Sequence, residues 1–163
     1  MSKKKVNIIG DGEHAGVVAE AVIGVGAIPV RLKISGELHK WSAAIVHPTA
    51  IVSPSAQLGK GTVVMAGAIV QSGAVIGKHV IINTGVIVEH DCRIGDLVHI
   101  APGVVMGGGV QIGKAAFIGL GARLRDHIKI GAHSTVGMGS VVIRDVKARA
   151  TVMGAPAKVK EKK

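Results

Sequence analysis

The stretch "IINTGVIVEHDCRIGDLVHIAPG", residues 81–103, sets a cluster of polar side chains inside a run of aliphatic residues and glycines. Its aliphatic residues recur every six positions, at Ile82, Val88, Ile94 and Ile100. Six is an even number, so the period fits the alternation of a β-strand and not the 3.6-residue turn of an α-helix. The stretch therefore predicts short strands separated by turns, each with one aliphatic side chain facing inward.

The same period extends over most of the chain. Stepping by six from Val46 to Val142 meets seventeen positions, and every one of them is aliphatic. Glycine often follows the aliphatic residue, and the residue four places after it is usually small or β-branched. Because glycine permits turn geometries that other residues resist, we expect these glycines to form the turns. A fixed short period predicts stacked coils whose backbone hydrogen bonds run from coil to coil.

The composition agrees with a narrow, repetitive interior. Hydrophobic residues make up 48% of the 163 residues but aromatic residues only 1%, so aliphatic side chains must fill the core. The formal charge of +10 comes largely from lysines near the chain ends, which we interpret as solubilising tails, with an anionic small-molecule ligand as the alternative. Nucleic acid is disfavoured as a partner, because one Phe, one Trp and no Tyr offer few surfaces for base stacking.

The sequence predicts a cytoplasmic protein that does not bind membranes. Cys92 is the only cysteine, so an internal disulfide is excluded, and its place among the small inward residues predicts a core position. The apolar part of "MSKKKVNIIG" is too short for a signal peptide. The apolar run at 16–30 is shorter than a membrane span and contains Glu20.

The first 35 residues follow a different pattern. Residues 5–10 predict a buried strand, 15–26 a helix and 28–34 a second strand. Residues 10–15 match G-x-G-x-x-A, a pattern that cradles phosphate between a strand and a helix. A dinucleotide site also expects an acid at the end of the second strand, which is missing, so NAD binding is disfavoured.

These motifs together resemble the NeuD/PglD group of hexapeptide-repeat sugar acetyltransferases. The resemblance is carried by "IIGDGEHAGVVAEAV" (8–22), by the long segment from "HPTAIVSPSAQLGKG" (47–61) to "VEHDCRIGDLVHIAPG" (88–103), and by "GAPAKV" (154–159). It implies a mainly β fold, a left-handed parallel β-helix of nearly six 18-residue coils preceded by a small truncated β-α-β unit. The implied domains are a truncated Rossmann-like unit at 1–40, the β-helix at 41–150 and a basic C-terminal tail at 151–163.

The resemblance also implies a function. It predicts an enzyme that uses acetyl-CoA as co-substrate to N-acetylate a 4-amino sugar, UDP-linked in the expected case, by direct transfer with a histidine base. It further implies a homotrimer with active sites between protomers. O-acetylation of a sugar or a sialic acid, and a non-catalytic trimeric scaffold, are the alternatives. Family members carry a longer N-terminal domain that helps to hold the uridine nucleotide, and only part of it precedes the repeat here.

Acyl transfer from a thioester needs a base, a carboxylate that orients the base, and a donor for the developing oxyanion. His90 lies at an outward position of its hexad, between Glu89 and Asp91, so it is not a core histidine. By resemblance, His90 is the general base and Asp91 raises its basicity. The alternative is a solvated surface histidine.

The remaining site residues are also implied by the resemblance. The residues that it implies for acetyl-CoA binding are His99, Gly108, Leu120 and Met138. Those that it implies for substrate binding are Gly12, Glu13, His14 and Asn83. Gly108 lies 18 residues beyond His90, one coil on, where its backbone N–H is a candidate oxyanion donor. Leu120 and Met138 share a corner with Pro102 in this arithmetic, and plain packing at a trimer interface is the alternative for both.

We expect no metal. The zinc hydratase built on the same helix, a γ-type carbonic anhydrase, needs three histidine ligands per zinc. His127 and His133 are six residues apart, and His90 and His99 nine, and neither spacing is the close pair that such a site uses.

Overall fold

A computed structural model describes residues 43–160, the backbone of residues 7–9 and 21–23, and residues 28, 29 and 33. Most of its strands are two residues long, as a six-residue repeat of strand and turn requires. In chain order the strands are β1 (Asn7–Ile9), β2 (Ala21–Ile23), β3 (Ile45–Val46), β4 (Ile51–Val52), β5 (Gln57–Leu58), β6 (Val63–Val64), β7 (Ile69–Val70), β8 (Val75–Ile76), β9 (Ile81–Ile82), β10 (Ile87–Val88), β11 (Arg93–Ile94), β12 (His99–Ile100), β13 (Val105–Met106), β14 (Gln111–Ile112), β15 (Phe117–Ile118), β16 (Arg123–Leu124), β17 (Lys129–Ile130), β18 (Thr135–Val136), β19 (Val141–Val142), β20 (Thr151–Met153) and β21 (Lys158–Val159).

From β3 onward every third strand joins the same sheet, which gives a solenoid with three flat faces. Face 1 contains β3, β6, β9, β12, β15 and β18, continued by β20 and β21; face 2 contains β4, β7, β10, β13, β16 and β19; face 3 contains β5, β8, β11, β14 and β17. Pairing within the repeat is parallel, and Ile87 pairs with Ile69 and Val105, which sets 18 residues per coil. Six strands in face 2 mean about six coils. The predicted parallel β-solenoid is confirmed.

The interior is filled as the repeat predicts. The aliphatic residues at the six-residue step are at most 4% exposed from Val64 to Val142. The small residues between them, such as Ala68 and Ala74, are fully buried as well. Thr62 is a polar exception, and its hydroxyl is satisfied because it donates to Gly77 O at 2.8 Å and accepts from Val80 N at 3.1 Å.

The turns correct one sequence-based expectation. Every sixth residue from Gly61 to Gly139 has a positive φ, and these positions lie three places after the inward aliphatic, where eight are glycine and six are not. The glycines directly after the aliphatic residue, such as Gly95 and Gly113, are not among them. A Cβ added at Gly113 would lie 2.5 Å from Ala132 N of the next coil. These glycines therefore allow close stacking of coils, and the prediction that they form the turns is wrong.

The turns define three corners. At corner 1–2, the chain passes from face 1 to face 2 through residues 84, 102, 120 and 138 in successive coils. At corner 2–3 it passes through residues 72, 90, 108 and 126, and at corner 3–1 through residues 78, 96, 114 and 132. Hydrogen bonds between coils fix these columns, as in the bond from Gly121 N to Pro102 O.

The N-terminal region differs from the sequence prediction where it is described. β1 pairs in parallel with β2, so the helix predicted over 15–26 is wrong at Ala21–Ile23. Two of those three residues are β-branched, which favours a strand. The strand predicted over 28–34 is wrong at Ile28, Pro29 and Lys33, which are helical. Proline is well suited to the first turn of a helix. The predicted site residues Gly12, Glu13 and His14 lie outside the described residues.

The C-terminal end continues face 1 beyond the last full coil. β20 pairs in parallel with β18, and β21 turns back antiparallel on β20. The segment predicted as a tail therefore begins with a strand of the solenoid, while the domain boundaries themselves stay predictions. Within the described part of the chain, no helix has the length and apolarity that crossing a membrane needs.

Candidate active site

His90 and Asp91 form a hydrogen-bonded pair at corner 2–3. Nδ1 of His90 lies 2.9 Å from Oδ2 of Asp91, and both side chains are more than half exposed. Asp91 has a φ of 59°, a left-handed conformation that aspartate tolerates better than most residues, and its N–H donates to Ser72 O in the preceding coil. The turn thus points the carboxylate back at its neighbour's ring. When Nδ1–H of His90 donates to the carboxylate of Asp91, Nε2 of His90 is the free base.

The surroundings of His90 favour its protonated form. The hydrogen bond with Asp91 is the largest cause that raises the pKa of His90 above its ordinary value; partial desolvation opposes it, and the charges of Asp91 and Glu89 add to it. The ring is therefore a stronger base than a free imidazole.

Gly108 faces the free nitrogen of His90 from the next coil. A Cβ added at Gly108 would lie 2.5 Å from Nε2 of His90, so any side chain at position 108 would displace the ring. Within the described residues, the N–H of Gly108 donates to no protein group, whereas the N–H of Gly109 bonds to His90 O at 2.9 Å. The structure thus brings together His90, Asp91 and Gly108, as the sequence predicts.

A second polar cluster lies on face 1. Nδ2 of Asn83 lies 3.5 Å from Nε2 of His99, and Oδ1 of Asn83 accepts the N–H of Thr84 at 2.8 Å. The ring of Phe117, one coil on, meets the ring of His99 edge to face at a centroid distance of 5.3 Å. Asn83 and His99 are both half-buried. These contacts hold the His99 ring upright on the outer surface of the sheet.

Leu120 and Met138 lie on corner 1–2, one coil apart. Leu120 is 56% and Met138 is 79% exposed, so both present apolar surface to solvent. The N–H of Gly139 donates to Leu120 O, which keeps the two in one column with Pro102. They form a short apolar ridge that continues the column of Pro102 along corner 1–2.

The predicted site residues therefore fall into two groups at different places on the protomer. His90, Asp91 and Gly108 lie at corner 2–3, at the far side of face 2 from corner 1–2. Asn83 and His99 lie on face 1, with the ridge at corner 1–2. The structure brings residues together within each group and not between them.

Two residues that contact the groups are not found by sequence reasoning. Gly73 lies against the carboxylate of Asp91, since a Cβ there would collide with Oδ1 of Asp91. Phe117 supports His99. Each is 18 residues from the residue that it contacts, so the 18-residue coil length that identifies Gly108 was also the signal that could have identified these two.

Cys92 is a core residue, as predicted, although it follows His90 by two positions. It is buried, and its thiol lies 3.3 Å from Gly107 O. Burial raises the pKa of the Cys92 thiol to about 11, so it is not a nucleophile near neutral pH.

His127 and His133 lie at different corners, 2–3 and 3–1, so they do not form a ligand pair. Among residues 43–160 and the other described positions, no three His, Cys, Asp or Glu side chains converge as a metal site requires. A shallow groove of about 430 Å³ on face 3, lined by Arg93, Gln111 and Lys129, contains none of the predicted site residues.

Comparisons with known proteins match the chain to a known repeat family and to solved structures. Residues 73–108 match the family model for bacterial transferase hexapeptide (six repeats), and no curated protein sequence matches the chain. The acetyltransferase domain of PglB from Neisseria gonorrhoeae is 40% identical, with a TM-score of 0.84 over 86% of this chain and 70% of that chain. A second structure of that domain holds acetyl coenzyme A.

Two further solved structures are similar over nearly the same length. A variant of perosamine N-acetyltransferase from Caulobacter crescentus, in complex with CoA and GDP-perosamine, is 38% identical, with a TM-score of 0.86 over 90% of this chain and 71% of that chain. WeeI from Acinetobacter baumannii is 29% identical, with a TM-score of 0.84 over 90% of this chain and 74% of that chain.

Proposed function

This chain belongs to the hexapeptide-repeat sugar acetyltransferases of the NeuD/PglD group, and on that premise we propose that it transfers the acetyl group of acetyl-CoA to the amine of a nucleotide-linked 4-amino sugar. One observation carries the proposal: an exposed His90–Asp91 pair at 2.9 Å whose free nitrogen faces the bare backbone of Gly108. A base and an open N–H donor side by side are what thioester aminolysis needs.

The proposed reaction is a direct transfer. The acceptor amine attacks the carbonyl carbon of the thioester, the C–N bond forms, and negative charge collects on the carbonyl oxygen, to which the N–H of Gly108 donates. Nε2 of His90 takes the proton from the nitrogen, and Asp91 stabilises the resulting imidazolium. The C–S bond then breaks, and the departing sulfur takes that proton from His90 to give CoA. Cys92 takes no part, because it is buried and its pKa is about 11.

We place the complete site between two protomers of a homotrimer. The outward side chains of face 2 are mainly apolar, namely Ile51, Ile69, Ile87, Val105 and Val141, and so are Ile45, Val63, Ile81 and Phe117 on face 1. Face 3 instead presents Gln57, Arg93, Gln111 and Lys129. Burying face 2 of one protomer against face 1 of the next is a heterologous contact that closes as a ring.

In this trimer, corner 2–3 of one protomer meets face 1 of its neighbour. His90, Asp91 and Gly108 then come from one chain, and Asn83 and His99 from the other. His99 contacts the acetyl end of acetyl-CoA, and Leu120 and Met138 form an apolar wall for the pantetheine arm. The separation of the two groups on one protomer supports this arrangement.

The nucleotide of the acceptor is proposed as UDP or GDP. The sequence resemblance favours UDP, and the C. crescentus relative was crystallised with GDP-perosamine. The C. crescentus relative is an N-acetyltransferase, which supports N-acetylation over O-acetylation as the proposal. The base His90, the carboxylate of Asp91 and the open N–H of Gly108 at one corner favour an enzyme over a scaffold without activity.

The test is release of free thiol from acetyl-CoA with UDP-linked and GDP-linked 4-amino sugars as acceptors. We expect turnover with at least one acceptor, and a His90→Ala variant slower by about 10²-fold to 10⁴-fold in kcat, the usual contribution of a general base. His133→Ala, which removes an exposed histidine at corner 3–1, is the matched control and should keep its kcat. Equal thiol release by the wild type and His90→Ala on every acceptor would sink the proposal.

A further inference from the structure

We propose that Glu89 binds the amino group of the acceptor and makes the site selective for amines over hydroxyls. This inference rests on the proposed function. Glu89 follows β10 directly and lies on the outer surface of face 2, next to the base. Its Oε2 lies 3.4 Å from the backbone N of His90, a long contact that leaves most of the carboxylate's hydrogen-bonding capacity unused.

Glu89 has no cationic partner among the described residues, although it is half-buried. Its neighbours in the adjacent coils are Gln71 and Gly107, which are uncharged. The arginine in the same column, Arg125, is two coils away, or about 10 Å at the usual spacing of strands. A partly desolvated carboxylate without a counter-ion attracts a cation from outside the chain.

The carboxylates of Glu89 and Asp91, on either side of His90, therefore have different roles. Asp91 is already committed to Nδ1 of His90 at 2.9 Å. Glu89 lies on the other side of His90 in sequence and is the carboxylate left for the substrate. An amino sugar is cationic at neutral pH, whereas a sugar hydroxyl is not, so a free carboxylate improves binding of the amine far more than binding of the hydroxyl.

The proton balance is consistent with this role. The bound ammonium group loses one proton through the exposed His90 to solvent and becomes the neutral nucleophile. As the C–N bond forms, a second proton moves from nitrogen to His90, which then delivers it to the departing sulfur of CoA. Glu89 keeps its charge throughout and holds the nitrogen by accepting its hydrogen bonds.

The experiment compares two acceptors that differ at one group. Calorimetric titration with CoA present measures the affinities of the wild type and of Glu89→Gln for two acceptors. One acceptor is GDP-perosamine, and the other is the GDP-sugar with a hydroxyl in place of its amine. If turnover selects UDP, the UDP-linked pair is used instead. We expect the wild type to prefer the amine by about tenfold to 150-fold, the usual effect of one charged hydrogen bond. Glu89→Gln should lose that preference, with its affinity for the hydroxyl sugar and for CoA unchanged, and Glu89→Asp should restore part of it.

Asp126→Asn is the matched control. It removes an exposed carboxylate at the same corner, one coil beyond Gly108, and should keep the preference. Steady-state rates give a second readout, since loss of acceptor binding raises KM for the amino sugar more than it lowers kcat. If the wild type acetylates no 4-amino sugar, the proposed function and this inference both fall. If it does, and Glu89→Gln weakens both sugars equally or neither, only the role of Glu89 is overturned.

Discussion

At the scale of single residues, the chemistry of His90 depends on three neighbours that reach it in different ways. Asp91 is its neighbour in the chain, while Gly108 and, behind Asp91, Gly73 come from adjacent coils. The turn at corner 2–3 needs a left-handed residue after His90, and an aspartate there serves both the turn and the ring. One substitution at this position therefore changes the base more than it changes the fold.

We predict that Asp91→Asn shifts the pH dependence of activity toward acid. Asp91 supplies the hydrogen bond that is the largest cause raising the pKa of His90. Because His90 works as a base only when neutral, a lower pKa keeps it active at lower pH, so the acid limb of kcat/KM moves down. The plateau should fall about tenfold or more, since the ring loses its orienting carboxylate. The measurement is a pH–rate profile from about pH 5 to 9.

Asparagine keeps the volume of aspartate and also tolerates a positive φ, so the turn should survive the change. The same profile for Asp126→Asn is the control and should match the wild type. An acid limb that stays in place in Asp91→Asn would show that Asp91 does not tune the base.

Much of this site was predictable from the sequence. The step of six puts His90 outward between two acids, and the coil length places Gly108 opposite it. The direction of the His90 ring was not predictable, because it depends on the left-handed φ at Asp91 and on the room that Gly73 leaves for the carboxylate. Gly12, Glu13 and His14 were predicted from resemblance and stay predictions.

At the scale of elements, the solenoid uses glycine for two separate purposes. Glycines such as Gly113 allow the coils to stack closely, and glycines such as Gly121 adopt the left-handed turn. The period of six in the sequence reveals both sets of glycines. It does not show which set allows close stacking and which adopts the turn, because both recur with the same spacing. The distinction appears only when neighbouring coils are in place.

We predict that the two kinds of glycine differ in their cost of substitution. In Gly113→Ala the new methyl group meets the backbone of the next coil at 2.5 Å, and rigid backbone cannot move aside, so stability should fall by about 3 kcal/mol or more. In Gly121→Ala the methyl group meets nothing within 4 Å, and the cost is the positive φ alone, about 1 kcal/mol. Denaturant unfolding of the two variants measures the difference. Equal destabilisation would mean that close stacking is not what position 113 requires.

The helix predicted over residues 15–26 is where the sequence prediction failed outside the repeat. Residues 15–26 are apolar and rich in Ala and Val, and periodicity alone does not separate a buried helix from a buried strand in such a run. The parallel pairing of β1 with β2 decides it at Ala21–Ile23. Inside the repeat no such ambiguity arises, because an even period maintained over seventeen positions excludes a helix.

At the scale of the whole molecule, the three faces have different outer surfaces. The outward strand residues of faces 1 and 2 are mainly apolar, although Arg123 lies on face 2 and His99 and Thr135 lie on face 1, whereas face 3 carries Arg93 and Lys129. The sequence indicates that His90 and His99 lie half a coil apart, and the family resemblance implies a trimer in which neighbouring chains combine their faces. On the protomer, the two groups of site residues lie at separate places. The proposed trimer is what joins them.

The most direct test of an active site shared between protomers is complementation between two inactive variants. His90→Ala and His99→Ala are co-expressed with different affinity tags, and trimers that carry both tags are purified in two steps. Each parent should be slower than the wild type by about 10²-fold or more. Every mixed trimer contains one contact in which His90 of one chain meets His99 of the next, so its turnover with acetyl-CoA and a 4-amino nucleotide sugar should recover to about one third of the wild-type rate. Mixed trimers as inactive as their parents would contradict an acetyl-transfer site shared between protomers.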